Sequence, residues 1–131
     1  MRLRMCSDTG LFISMLEDGT RFDILNGNLF GYKGAIFENL IADIFSKMGR
    51  KLYYFHKDSG LEIDFAMRYK GEATLVEVKA KDGNTKSFRT VLNNYDKYHV
   101  KSLIKLGNYN IGRNDNVLKL PLYLAFLLKD F

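Results

Sequence analysis

Two alternating runs flanking a tight-turn signal constrain this chain more than any other feature. Leu61–Met67 sets Leu61, Ile63, Phe65 and Met67 on one side and Glu62, Asp64 and Ala66 on the other, the period of a half-buried strand. Thr74–Ala80 repeats the pattern, with Val76, Val78 and Ala80 opposed to Leu75, Glu77 and Lys79. If Lys70-Gly71 is a two-residue hairpin turn, partner numbers sum to 141. Ile63 then faces Val78 and Phe65 faces Val76, so the apolar sides coincide, and a one-residue slip would destroy the match. The same register sets Asp64 opposite Glu77 and Glu62 opposite Lys79, with Cβ atoms about 5 Å apart.

The remaining chain surrounds that hairpin with α and β signals. Leu3–Cys6 suggests a short strand, and Ser7 or Asp8 a cap for a helix through Leu11, Phe12, Met15 and Leu16 that closes at Glu17-Asp18-Gly19. Residues Asn26 to Gly34 read as loop. A helix is expected from Ala35 to Met48, with Ile36, Phe37, Leu40, Ile41, Ile44, Phe45 and Met48 at helical spacing and Gly49 as its stop. At about 100° per residue, Glu38 projects just past the Phe45 edge of that apolar arc, and Asp43 lies well outside it.

Leu52–His56 reads as an aromatic strand ending at the turn signal Lys57-Asp58-Ser59-Gly60. Beyond a break at Asp82-Gly83-Asn84, Phe88, Val91, Leu92 and Tyr95 mark a second helix. Val100–Leu106 reads as a strand, Asn108–Asn116 as a loop, and Val117–Leu120 as a last strand, with Pro121 in the first turn of a C-terminal helix. The expected class is α/β. A central mixed β-sheet of segments 52–57, 61–68, 73–80 and 100–106 is flanked by helices 35–48 and 86–98, and the last two strands suit a parallel crossover.

Composition bounds the function. The 131 residues make one domain, 1–131, and 47% hydrophobic content without low-complexity tracts is enough for a core. The apolar run Leu120–Leu128 is too short to span a bilayer, and Met1–Met5 lacks the pattern of a secretory signal, so a cytoplasmic domain with no membrane partner is expected. The lone Cys6 excludes an internal disulfide and a Cys-rich metal site. No Gly-x-x-x-x-Gly-Lys-Ser/Thr is present, so these residues hold no P-loop. The net charge of +5 is concentrated between residues 79 and 105. There Lys81, Lys86, Arg89, Lys97 and Lys101 are candidate phosphate contacts, or a solvated helix face.

Two carboxylates opposed on one strand face repel unless something neutralises them: a proton, the Lys79 amine, or a divalent cation between them. Oxygen ligands that leave room for water suit Mg²⁺ or Mn²⁺ better than Zn²⁺. An ordinary solvent-facing hairpin is the alternative, although Leu75 on the same face argues for partial cover. Glu62 opposite Lys79 could equally hold that amine in a structural ion pair. His56 and His99 read as structural or surface residues, Cys6 as packing, and Tyr53, Tyr54 and Phe55 as packing or base-stacking groups.

Asp64, a hairpin, then Glu77-Val78-Lys79, with Glu38 on the preceding helix, resembles the PD-(D/E)XK nuclease superfamily. More closely, Lys33-Gly34-Ala35-Ile36-Phe37-Glu38-Asn39-Leu40, Leu61-Glu62-Ile63-Asp64-Phe65 and Val76-Glu77-Val78-Lys79 are similar to the nuclease-like domain found C-terminal to AAA-type ATPases of bacteria and archaea. Asp8-Thr9-Gly10-Leu11 and Leu120-Pro121-Leu122-Tyr123 extend the similarity over nearly the whole chain. The resemblance implies a restriction-endonuclease-like core and an ATPase module elsewhere in a longer chain. It implies that Asp64 and Glu77 ligate Mg²⁺ (or Mn²⁺), that Lys79 orients or activates the attacking water, and that Glu38 binds a water of the ion or a second ion. Ile63 stands where the motif's proline would be. DNA phosphodiester hydrolysis is one expectation; a catalytically silent module that binds nucleic acid or protein for its ATPase is the other.

Overall fold

The expected hairpin is present. In this computed structural model, which describes residues 8–16, 18–28, 33–57, 61–79 and 86–129, β2 (Leu61–Tyr69) and β3 (Glu72–Lys79) pair antiparallel from Phe65↔Val76 to Tyr69↔Glu72. That is the register expected from the alternation. Lys70 and Gly71 have φ of 50° and 78°, the left-handed pair a type I′ turn demands.

The register on the other edge of β2 is interrupted. β1 (Tyr53–Lys57) pairs with β2 as Tyr53↔Ala66 and then Phe55↔Ile63, so Asp64 and Phe65 together stand opposite Tyr54. This extra residue is a β-bulge, which turns the side chains before it onto the other face. Ile63 accordingly packs with Leu75 and Leu103, whereas Phe65 and Met67 pack with Val76 and Val78. The expectation that Ile63 shares a face with Phe65 and meets Val78 is therefore corrected, and the cause is the bulge at Asp64.

Among the described residues the sheet has six strands in the order β1-β2-β3-β4-β6-β5. β4 (Ser102–Gly107) lies parallel to β3, and β6 (Val117–Pro121) parallel to β4. A three-residue β5 (Gly112–Asn114) closes the edge antiparallel to β6, inside the stretch expected to be loop. Where β3 and β4 begin, Thr74 and Ser102 face one another and their hydroxyls lie 2.7 Å apart.

Helices cover both faces. α1 (Thr9–Ser14) starts at Asp8, whose Oδ1 accepts from the Leu11 amide at 2.8 Å, as expected for a cap. α2 (Asp18–Leu25) follows, where the sequence pattern predicts the end of a helix rather than the start of one. α3 (Lys33–Lys47) is the expected amphipathic helix. It stops in a Schellman arrangement, with Arg50 N–H on the Phe45 carbonyl and Gly49 N–H on that of Ser46. Its Ile41, Ala42 and Phe45 join Phe65, Met67, Val76, Val78, Ile104 and Leu106 in the larger core. Burying a side chain such as Phe45 or Ile41 contributes about 1.5–3 kcal/mol each. Asp43, expected to point away from the core, is buried: α1 covers that flank, and Asn39 one turn earlier donates to Thr9 Oγ1.

α4 (Lys86–Leu92) and α5 (Tyr95–Tyr98) take the opposite face, where Val91, Leu92 and Tyr98 pack on Ile63, Leu75 and Leu103. They replace the single helix expected over 86–98. The Asn94 side chain donates to the Thr90 carbonyl at 2.6 Å, competing with the helical ladder. Pro121 ends β6 and precedes a 3₁₀ turn, Leu122–Leu127, whose Ala125 closes over the larger core. Arg50 ties three segments together, donating to the carbonyls of Arg68 and Leu128 while its guanidinium lies over the Tyr69 ring. The expected strand at Leu3–Cys6 and the break at Asp82-Gly83-Asn84 lie outside the described residues.

Candidate active site

The bulge gives Asp64 a specific job. The ladder between β2 and β3 runs only as far as Phe65↔Val76, so the Val78 amide lacks a strand partner there. The Asp64 carboxylate takes it instead, with Oδ2 2.6 Å from the Val78 nitrogen. This is a charge-assisted bond that fixes the carboxylate at the peptide immediately after Glu77.

Glu77 stands in register with Lys105 of β4 and shares a sheet face with Leu75, Leu103 and Lys79. It is 6% exposed and Lys105 is 5% exposed. One carboxylate oxygen lies 3.3 Å from the Lys79 amine and the other 3.6 Å from that of Lys105. The second oxygen, Oε2, is buried without a hydrogen bond. A carboxylate so enclosed needs positive charge beside it, and two lysines supply it. The Lys79 side chain is 38% exposed, so its amine reaches both Glu77 and solvent.

Glu38 comes from the other face, on α3. Its neighbour Phe37 and the helix start at Lys33 line the same groove as Gly107, and Gly107 is the register partner of Lys79. Half-buried Glu38 thus belongs to the same end of the sheet as Asp64, Glu77 and Lys79. Among the described residues, no three His, Cys, Asp or Glu side chains gather into a group that could hold a metal.

Gly107 matters because of what a side chain would strike there. A Cβ would lie 2.5 Å from the Lys79 carbonyl oxygen, so β4 could not keep its distance from β3. The Tyr109 ring occupies the space beside it, and the Lys119 amine sits 5.9 Å from the centre of that ring.

The expected phosphate contacts spread more widely. Arg89 and Lys97 are exposed on α4 and α5, over the sheet face that carries Glu77 and Lys79. Lys101 precedes β4 at its opposite end, about 20 Å from Gly107 along the strand. Its amine is 3.2 Å from Glu72 Oε1, and that hydrogen bond raises the lysine pKa above its ordinary value. Lys81, the side chain of Lys86 and the expected Glu62–Lys79 pairing lie outside the described residues. Tyr53 is exposed on β1 rather than packed.

Sequence reasoning missed Lys105 as a member of the site. The available signal was a lysine flanked by Leu103, Ile104 and Leu106 in a strand of the sheet interior, a place where an amine demands a partner.

The chemistry these groups allow comes from their types. Asp64 and Glu77 are hard oxygen donors on neighbouring strands, Asp64 fixed at the Val78 amide, and the buried, unbonded Glu77 Oε2 is the feature that suits a hard divalent cation. Lys79 offers a solvent-accessible ammonium beside them, able to meet a phosphoryl oxygen.

Fold and site together define an α/β domain with an acid–lysine cluster where parallel strands end. Residues 33–123 match the family described as Domain of unknown function (DUF4143), and the chain belongs to that family. No curated protein matches the chain, and no solved structure matches it.

Proposed function

We propose that this domain is a Mg²⁺-dependent nuclease of restriction-endonuclease-like, PD-(D/E)XK type, acting on DNA phosphodiesters in the cytoplasm as the C-terminal domain of an AAA-type ATPase. The observation that carries the reading is the meeting of Asp64 with the peptide following Glu77, beside the solvent-open Lys79. Asp64 and Glu77 would hold Mg²⁺ or Mn²⁺, with Glu38 approaching from α3. When bound, the ion would polarise a phosphoryl oxygen and acidify a water. The residues themselves do the rest. The Val78 amide orients Asp64, Lys79 and Lys105 hold Glu77 in place, and Lys79 presents compact positive charge where negative charge develops on phosphate. Arg89 and Lys97 add positive charge on the helices above that face, suited to a nucleic-acid backbone.

A second reading has its own support. Lys105 already places an ammonium against the Glu77 oxygen that an ion would use, as expected of a silent module that binds nucleic acid or its ATPase without cleaving. A nuclease assay with Mg²⁺ and Mn²⁺ on single-stranded, duplex and branched DNA separates the two. Cleavage that disappears in Asp64→Ala and Glu77→Ala supports hydrolysis. Salt-sensitive binding with no cleavage, or cleavage unchanged in both variants, removes it.

A further inference from the structure

A groove of about 730 Å³ opens where β4 and β6 end, lined by Lys33, Phe37, Tyr109, Asn110, Ile111 and Tyr123 among others. Gly107 also lines it and is the register partner of Lys79, so the groove begins one strand away from the Lys79 backbone, about 5 Å across the sheet. Crevices at the carboxyl ends of parallel strands are where such sheets bind ligands.

The lining has a consistent chemistry. Tyr123 is 73% exposed and Ile111 68% exposed, large groups left uncovered at its mouth. Lys33 lies over the Phe37 ring at 5.5 Å, and Lys119 over the Tyr109 ring. Asn108 and Asn110 supply amides that both donate and accept, and among the described residues no carboxylate lines the groove. Ring faces, amide edges and cations together are what a nucleobase and its phosphate need, and a base inside a duplex hides its faces in the stack.

We propose that this groove takes an unpaired base, so that the substrate is single-stranded nucleic acid lying with its backbone toward Lys79. The proposal rests on the nuclease reading for the chemistry after binding, but the binding itself can be tested alone. Anisotropy of fluorescein-labelled oligo(dT) and of a labelled blunt duplex is measured with the full chain in metal-free buffer. Tyr123→Ala should weaken oligo(dT) binding about fivefold or more, the effect of losing one stacked base. Tyr123→Phe should restore binding, and duplex binding should be unchanged by either substitution. Exposure of Tyr123 keeps both variants folded, which circular dichroism verifies. Equal oligo(dT) affinity in wild type and Tyr123→Ala, no rescue by Tyr123→Phe, or an equal loss on duplex overturns the proposal. So does a groove that fails to bind oligo(dT) and instead docks a protein partner. Because binding is read without metal, absence of cleavage by the wild type would count against the nuclease reading and leave the groove's result standing.

Discussion

Replacing Lys105 by methionine tests the electrostatic centre of this domain. Lys105 and Glu77 are both more than nine-tenths buried, and their charged atoms are 3.6 Å apart. Methionine fills much the same volume, so the perturbation is loss of charge rather than creation of a cavity. Breaking a buried ion pair by removing one partner costs about 3–5 kcal/mol, because the other charge stays behind. Here Lys79 still reaches the other oxygen of Glu77 from a partly exposed position, so a loss nearer ~2–3 kcal/mol is expected. For a chain of this length that lowers Tm by roughly 8–12 °C, read by circular dichroism or urea denaturation. Glu77→Gln in the same background should recover most of it, a coupling of about 2 kcal/mol in a double-mutant cycle. A Lys105→Met protein as stable as wild type, or strictly additive substitutions, would refute the claim that the pair is a mutually dependent buried unit.

Three further substitutions probe the geometry. Gly107→Ala should destabilise by about 1–3 kcal/mol, since its Cβ would meet the Lys79 carbonyl; thermal unfolding checks this, and an unchanged Tm contradicts it. Arg50→Ala should cost about 2–3 kcal/mol by releasing the carbonyls of Leu128 and Arg68 from a charged donor, measured as a drop in urea midpoint. Lys70→Asn should raise stability by about 0.5–1 kcal/mol, because φ of 50° in a type I′ turn suits asparagine; a lower midpoint would count against that turn assignment.

Much of the fold was legible because short-range rules act alone in a hairpin. Alternation and turn chemistry set the β2–β3 register from Phe65 to Tyr69, and Asp8 and Gly49 marked their helix ends. The bulge at Asp64 was not legible. No glycine announces it, and it comes from how β1 meets β2 rather than from the residues of β2 alone. Lys105 escaped because a parallel register is set across a long crossover, with no turn to count from. The burial of Asp43 was hidden because its cover is α1, whose docking on α3 no periodicity within α3 reveals. The start of α2, rich in Asp and Gly, carries the same residues that mark a helix end.

Joint capture of a metal ion by Asp64 and Glu77 is the central claim, and calorimetry reaches it without a substrate. Isothermal titration of Mn²⁺ into the wild type and into Asp64→Asn should show saturable binding in the first and its loss in the second. Equal heats in both proteins, or no uptake by the wild type, would contradict it.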